Sequence, residues 1–421
     1  MTDRLAVWLG GNRVGAIERA GDTIRYLPAV DAPLSVASAG LAPWSPELTR
    51  NWFDGLLPEE GRRTRLAARF GLRPEDTFGL LREVGWECAG AVAVLPEERT
   101  PGPGSYRPVR NRELGKILDA LPSIAELPDE AVRMSLGGAK DKLLVAWREG
   151  GWALPLNGAP STHILKPEPE RFPGLAVAEA WALAVAASAT AASEARVDHD
   201  LGSRPVLVVT RFDRETTPTG EIRRQHQEDL CQAIGAPPLA KYAPNPLRPE
   251  SPSLAKLAGI LAERAADPPE ELSRLLTQVA VSVALRNADL HAKNLSIIND
   301  RGVARLAPVY DVAPTTAFIE RQSSMGLPVG GTWRIDEIGR AHLMREAQAW
   351  GVPQGVARSV VDATVEALGV GVARADGLWP EVSPKARQQA VAGILAVSLQ
   401  DPGRRAVSAR RQRATTASHG G

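Results

Sequence analysis

Cysteine is nearly absent from this 421-residue sequence: only Cys88 and Cys231 occur, each in an apolar stretch. That leaves no basis for a disulfide scaffold or a cysteine-based zinc site, and it suits a reducing compartment. Long hydrophobic runs are missing too. None approaches the roughly 18 apolar residues of a membrane-spanning helix, and the amino terminus turns polar at Gly10-Gly11-Asn12-Arg13 before a signal region can form. The sequence therefore reads as cytoplasmic. Nor does charge of one sign dominate: 50 Lys and Arg stand against 49 Asp and Glu, a net charge of +1. Such a balance gives no global field for drawing in nucleic acid or anionic lipid, so any DNA contact must be local or borrowed.

The rest of the composition is that of a folded protein, with 44% hydrophobic and 24% charged residues. The length exceeds what one core usually supports, which predicts two or three packed subdomains. Residues 5–9, 14–17 and 24–27, separated by Gly-Gly-Asn-Arg and Gly21-Asp22, predict an opening strand meander, followed by helices at 47–57, 61–70 and 78–84. Residues 97–108 crowd Pro and Gly and read as a linker. Strands then alternate with loops to about Arg211, and from Glu228 onward the pattern is mainly helical, with 270–286 the clearest apolar-periodic helix. The expected division is an accessory domain over 1–96, a linker over 97–108, a strand-rich lobe over 109–225, a helical lobe over 226–400 and a disordered basic tail over 401–421. That tail carries Arg404, Arg405, Arg410, Arg411 and Arg413 and reads as a solvated end, or else as a nucleic-acid contact.

Residues 285–298 carry the most informative pattern, Asp289-x-His291-x-x-Asn294, between the long helix and a predicted strand. Phosphoryl transfer needs a carboxylate to orient the attacking hydroxyl and take its proton, and an amide oxygen nearby to help hold Mg²⁺. Asp289 and Asn294 have the five-residue spacing of that pair in kinase catalytic loops. Asp311 is the candidate second metal ligand, because residues 295–298 and 303–309 predict a hairpin that folds it back toward Asn294. In a tight hairpin Asn294 falls opposite about residue 307, so Asp311 has to reach in through a bend, for which Pro308 is a plausible cause. The same residues also fit a helix cap, a packed imidazole and a strand start.

Upstream, Ser135-Leu136-Gly137-Gly138-Ala139-Lys140-Asp141-Lys142 precedes the strands 143–147 and 152–156. Glycines beside a strand let backbone N–H groups approach phosphates, although a plain hairpin-entry turn has the same composition. Alternation in the short strand 162–166 puts Lys166 and Ile164 on one face, and Glu179, early in the predicted helix 175–190, suits the steadying carboxylate of a phosphate-gripping lysine. Glycine loop, strand lysine, helix glutamate, Asp-x-His-x-x-Asn and Asp311 follow in the order a two-lobed kinase requires. Glu228 and Asp229, within His226-Gln227-Glu228-Asp229, read equally as a brace for the catalytic region or as a helix cap.

Across residues 5–373 the chain resembles the HipA family of toxin kinases. The resemblance runs through 51–63 and 85–91, then Ser135 to Lys142, Thr162 to Lys166, Arg211-Phe212-Asp213-Arg214, Gln227 to Gln232, Asn287 to Asn294 and Tyr310-Asp311. It implies an α+β, two-lobed protein-kinase-like fold with a strand-rich accessory subdomain at the N-terminus and a helical C-terminal lobe. It further implies ATP and Mg²⁺ as cofactors, Asp289 as catalytic base, Asn294 and Asp311 as metal ligands and Lys166 as the nucleotide-binding lysine. The nucleotide would also meet Ser135, Leu136, Gly137, Gly138, Ala139, Lys142, Glu179, Thr210, Phe212, Asp213, His291 and Lys293. Ser135 would be the autophosphorylation site, whose phosphate holds the glycine loop away from the nucleotide; it also fits an ordinary turn serine. Thr210 stands where the family often has an acidic hinge residue, so adenine contact is expected from backbone groups near Thr210 and Phe212. The glycine loop also departs, with Gly137-Gly138 and Lys140-Asp141 where Ala-Gly and Gln-Glu are common.

The implied function is a toxin that phosphorylates a protein Ser or Thr hydroxyl, typically on an aminoacyl-tRNA synthetase. A small HipB-like helix-turn-helix antitoxin would restrain it, and DNA would be met only through that partner. A small-molecule kinase, a catalytically silent nucleotide-binding subunit that co-regulates transcription, and a metal hydrolase built on Asp289 and His291 are the competing readings.

Overall fold

The computed structural model describes residues 3–21, 23–29, 34–35, 44–123, 127, 137–138, 140–242, 251–319 and 323–399. Asp22 of the second turn, Ser135, Leu136 and Ala139 of the glycine loop, and the tail 401–421 lie outside the described residues.

Four antiparallel strands open the chain: β1 (Arg4–Leu9), β2 (Asn12–Ala20), β3 (Thr23–Pro28) and β4 (Val92–Pro96), ordered β3-β2-β1-β4. Gly10 and Gly11 close the first hairpin at φ of 57° and 84°, the left-handed pair a two-residue turn needs. Between β3 and β4 come helices α1 (Pro46–Asp54), α2 (Glu60–Arg69) and α3 (Thr77–Val84). Ser45 caps α1 by accepting from the Leu48 N–H at 3.0 Å, and Pro46 follows where a missing N–H costs nothing. Trp52 and Phe53 on α1 are fully buried and meet edge to face.

The second sheet has six strands, β5 (Ser105–Pro108), β6 (Leu143–Arg148), β7 (Gly151–Leu156), β8 (His163–Pro167), β9 (Ala195–Asp198) and β10 (Val206–Thr210), in the order β5-β7-β6-β8-β10-β9. Helices α4 (Asn111–Asp119) and α5 (Leu175–Ala186) accompany it. Strand β5 falls within the stretch read as a linker: Tyr106 and Arg107 pair with Pro155 and Leu154. An edge strand tolerates the prolines that made this stretch look irregular. Helix α5 stops short of the expected residue 190, because its end tightens into i→i+3 bonds from Ser188 N–H to Val185 O and from Ala189 N–H to Ala186 O. Leu143, Val145, Leu165 and Val206 share one hydrophobic cluster with Leu5, Val7 and Trp52, so the opening region and this sheet have a common core.

Short strands β11 (Arg214–Thr216) and β12 (Ile222–Arg224) form a hairpin that leads to a three-stranded sheet of β13 (Gln227–Asp229), β14 (Ser296–Asp300) and β15 (Val303–Leu306). The remainder is helical, as expected, apart from the hairpin β16 (Ser324–Val329) and β17 (Thr332–Arg334). Its helices are α6 (Leu230–Ile234), α7 (Leu254–Arg264), α8 (Pro268–Ala284), α9 (Arg340–Ala349), α10 (Gln354–Leu378) and α11 (Pro384–Ser398). Helix α8 is the periodic helix of the sequence; Asp267 caps it, and Leu275, Leu276, Val279 and Val283 are buried in the core of this half.

The opening region meets the lobe of the six-stranded sheet through buried charge. Glu87 accepts hydrogen bonds from Arg211, Arg214 and Arg224, while Asp213 pairs with Arg211 and Arg214 and accepts the Gly90 N–H at 2.8 Å. Burial pushes the Glu87 carboxyl up, but Arg214, Arg224 and Arg211 outweigh it and hold the group at about 2. A second link runs from α1: the Trp52 indole donates to Glu228 at 3.2 Å, and Gln232 donates to Trp52 O at 3.1 Å.

Candidate active site

The β14–β15 hairpin turns through Arg301 and Gly302 at φ of 53° and 91°, which fixes Ile297 opposite Leu306. Ala307 N–H then bonds to Ser296 O at 2.9 Å, so residue 307 lies opposite 296, two residues beyond the expected 294. After Pro308 the chain leaves the ladder. Val309 pairs instead with the segment after α5, donating to Ala191 O and accepting from Ser193 N–H, both at 2.8 Å. Asp311 follows at φ +52°, a left-handed conformation that few residues other than glycine adopt, and this turn aims the chain back into the cleft.

The result is a cavity of about 360 Å³ between the six-stranded sheet and the helical half. Gly137, Gly138, Lys142, Lys166, Thr210, Phe212 and Asp213 line it from one side, and Asp289, His291, Lys293, Asn294 and Asp311 from the other. Ile164 shares the lining with Lys166, as the alternation in β8 predicts. Glu179 stands behind the wall: its carboxylate accepts from Lys166 Nζ at 2.8 Å, and Asp311 accepts from the same ammonium at 3.0 Å. Burial lowers the Lys166 pKa, but Asp311 and Glu179 more than reverse this. Asp311 is held well below the carboxylate range: burial opposes this, and Lys140, Lys166 and Lys142 prevail.

Asn294 donates its amide N–H to the Asp289 carbonyl at 2.9 Å, which leaves its amide oxygen as the group to offer a cation. Lys293 is committed elsewhere, forming a short ion pair with Asp229 and donating to Gly55 O at 3.3 Å. Asp229 is thus both N-cap of α6, in a capping box with Gln232, and a brace for the catalytic loop. His291 is lowered by burial, and its ring lies 5.0 Å from that of Tyr242.

Phe212 stacks on Tyr310 at 5.3 Å, forming an aromatic floor near the hinge. The Thr210 N–H is spent on Glu194 O and the Arg211 N–H on Thr162 O, both at 2.9 Å, so a base placed here would have to use other backbone groups. Asp213, though it touches the cavity, is saturated by its arginines.

Several participants escaped the sequence reading. Lys140 reaches Asp311 at 3.2 Å, Tyr242 donates to the Asp289 carboxylate at 3.0 Å, and Glu59, 182 residues before Lys241, pairs with it at 2.7 Å. Tyr242 and Glu59 stand outside the motifs that mark the site, and Lys140, though it lies in the glycine-loop segment, carries no role in that pattern. Glu59 arrives because its N–H bonds to Gly138 O at 3.3 Å, docking the opening region directly on the glycine loop.

Comparison with known proteins matches residues 5–95 to the HipA N-terminal domain and residues 134–371 to the HipA-like C-terminal domain. The Sinorhizobium fredii protein Y4mE is 35% identical over 384 residues, 86% of this chain and 90% of that protein. The serine/threonine-protein kinase toxin HipA of Shewanella oneidensis is 27% identical over 313 residues, 72% of this chain and 71% of the toxin. Among solved structures, the complex of Shewanella oneidensis HipA, HipB and operator DNA superposes with a TM-score of 0.80 at 21% identity, covering 93% of this chain and 97% of the matched one, so the fold is kinase-like. With both halves matched in order and the two lobes closing on one cleft, the chain belongs to the HipA family.

Proposed function

We propose that this chain is an ATP- and Mg²⁺-dependent kinase that transfers the γ-phosphoryl group to a protein Ser or Thr hydroxyl and to its own Ser135. The observation that carries the reading is the Lys166 ammonium, held between Glu179 and Asp311 above the cavity that Asp289 and Asn294 share. Asp289 accepts the proton of the acceptor hydroxyl as its oxygen bonds to the γ-phosphorus and the bond to the bridging oxygen breaks. Lys166 and Lys142 neutralise phosphate charge, and Gly137 and Gly138 let backbone approach it. The donor set suits Mg²⁺: the Asp311 carboxylate and the Asn294 amide oxygen are hard ligands. Among the described residues no cluster of three His, Cys, Asp or Glu could cage a metal alone, so phosphate oxygens would complete the shell. When bound, Mg²⁺ supplies charge neutralisation on the β- and γ-phosphates.

On this reading residues 1–96 are an accessory domain docked on the glycine loop, and 109–225 and 226–400 are the two lobes. A HipB-like helix-turn-helix antitoxin would restrain the enzyme and carry any contact with DNA, in keeping with the assembly of its Shewanella structural neighbour. An aminoacyl-tRNA synthetase is the proposed substrate. No helix among the described residues is long and apolar enough to cross a membrane.

Intact mass after incubation with Mg²⁺ and ATP tests the catalytic part. A phosphate adduct on the wild type that is absent from Asp289→Ala and Ser135→Ala is expected. No adduct in any sample, despite measurable ATP binding, would favour the silent regulatory subunit.

A further inference from the structure

Asp289, the base of the reaction proposed above, does not stand free. Among the described residues a single side chain hydrogen-bonds its carboxylate: the Tyr242 hydroxyl, donating to Oδ1 at 3.0 Å. An acceptor hydroxyl has to make the same bond, since proton abstraction requires the nucleophile within hydrogen-bond reach of the base. We propose that the Tyr242 hydroxyl occupies the acceptor-oxygen position, so that an incoming Ser or Thr hydroxyl enters by displacing it. This rests on the kinase reading and adds the residue that guards its acceptor side.

Three observations fit. First, Tyr242 sits at the junction of two spaces. It lines the nucleotide-side cavity and also a neighbouring cavity of about 480 Å³, and Lys140, Lys166, Asp289 and Asp311 border both. The second cavity is lined also by Phe172 and Phe318 and not by the hinge residues Thr210 and Phe212, so it offers a side chain a way to the base that does not cross the adenine hinge. Second, the phenol remains a donor: burial and the Asp289 charge both raise its pKa. Third, it is free to leave. Its backbone is pinned, because Ala292 N–H bonds to Lys241 O at 3.1 Å and Lys241 is locked to Glu59 at 2.7 Å. The residue is 43% exposed, its ring meets His291 edge to face and the Lys241 ammonium lies 5.3 Å over it, contacts that rotation about its own bonds breaks without moving the catalytic loop.

Water provides a probe that needs no knowledge of the protein substrate. Tyr242→Phe keeps the ring against His291 and vacates one oxygen-sized position beside Asp289, where water can bond to the base. Phosphate release from Mg²⁺ and ATP should therefore rise by about tenfold over wild type, the weight of a hydrogen bond to a charged group. The rise should vanish in Tyr242→Phe/Asp289→Ala. Tyr242→Leu, also without the hydroxyl, should show the same direction, and thermal melting checks that both fold. Phosphate found on Tyr242 itself in the wild type would equally support the placement, since only a hydroxyl at the acceptor position receives it. Release that is measurable in wild type but unchanged or lower in both variants overturns the proposal and leaves the kinase reading standing. No release and no phosphoprotein from wild type or variant removes both.

Discussion

The Lys166 ammonium lies 3.0 Å from the Asp311 carboxylate, 145 residues further along the chain. Joining strand β8 to the chain that follows the β14–β15 hairpin, the pair places the proposed phosphate-binding cation in contact with the proposed metal-binding carboxylate. Lys140 sits on the same carboxylate at 3.2 Å, so Asp311 draws two ammonium groups to one point of the cleft.

Lys166→Met should therefore have two separable effects. It removes the phosphate contact, and phosphorylation should fall by at least about 10²-fold. It also strands Glu179, whose side chain is only 4% exposed, at a cost of about 3–5 kcal/mol in chemical denaturation. Adding Glu179→Leu replaces the stranded charge with apolar bulk. The double variant should regain most of the stability and none of the activity; parallel recovery of both would show that Lys166 matters only for folding.

Acid should loosen the junction between the opening region and the lobe of the six-stranded sheet through Glu87. Its carboxyl has a reference pKa of 4.5 and is held at about 2 in the folded protein. A depressed carboxylate contributes stability that is present above 4.5 and lost as pH falls toward 2. Glu87→Gln leaves Arg211, Arg214 and Arg224 without their shared partner, so it should cost about 3–5 kcal/mol at neutral pH. It should also flatten the dependence of stability on pH between 4.5 and 2. An unchanged acid profile in the variant would place the pH sensitivity elsewhere.

The two kinds of interaction differ in how far the sequence reveals them. Lys166, Glu179, Asp289 and Asn294 were legible because each lies on a local pattern: a strand alternation, a helix start, a fixed loop spacing; Asp311 was legible only as the residue to which a predicted hairpin and bend return. The hairpin was legible from Asn299-Asp300-Arg301-Gly302, but its register was not, because the left-handed Arg301-Gly302 pair shortens the loop to two residues. Asp311 reaches the cleft through a strand-like pairing of Val309 with residues 191–193, a contact no local pattern encodes. Glu59, Glu87 and Tyr242 act across 182, 124 and 47 residues respectively, and only the folded chain shows what they touch. The edge strand Ser105–Pro108 was hidden by Pro108 and by Pro101 and Pro103 just before it.

Gly326 supplies a test of how firmly the catalytic loop is packed. It lies in β16, where its N–H bonds to Ala288 O at 2.8 Å. A Cβ there would stand 2.7 Å from Leu290 O and 2.8 Å from His291 Cα, backbone atoms that cannot yield without moving the loop. Gly326→Ala should thus cost about 1–3 kcal/mol and reduce phosphorylation well beyond what the stability loss explains, since Asp289 and Asn294 flank the displaced residues. Wild-type turnover at a temperature where the variant remains folded would argue that the loop tolerates the shift.

Lys142 ties nucleotide binding to pH. Its ammonium donates to Gly137 O at 2.7 Å in the glycine loop. Burial first, then Arg62 and Lys166, bring its pKa down from 10.5 to about 7. Between pH 7 and 10.5 the unfolded chain therefore holds more protons on this group than the folded one, so the lysine's burial costs less, and stability rises, as pH climbs through that window. A polyphosphate in the cavity favours the charged form and should raise the pKa again. ATP binding at pH 7 should then draw in about half a proton at Lys142, and affinity should weaken as pH rises above 7. Calorimetry in buffers of different ionisation enthalpy measures that uptake directly. Lys142→Met should abolish it, while ATP's own ionisation, common to both proteins, cancels in the difference. Equal uptake by wild type and variant would mean that the phosphates do not reach Lys142.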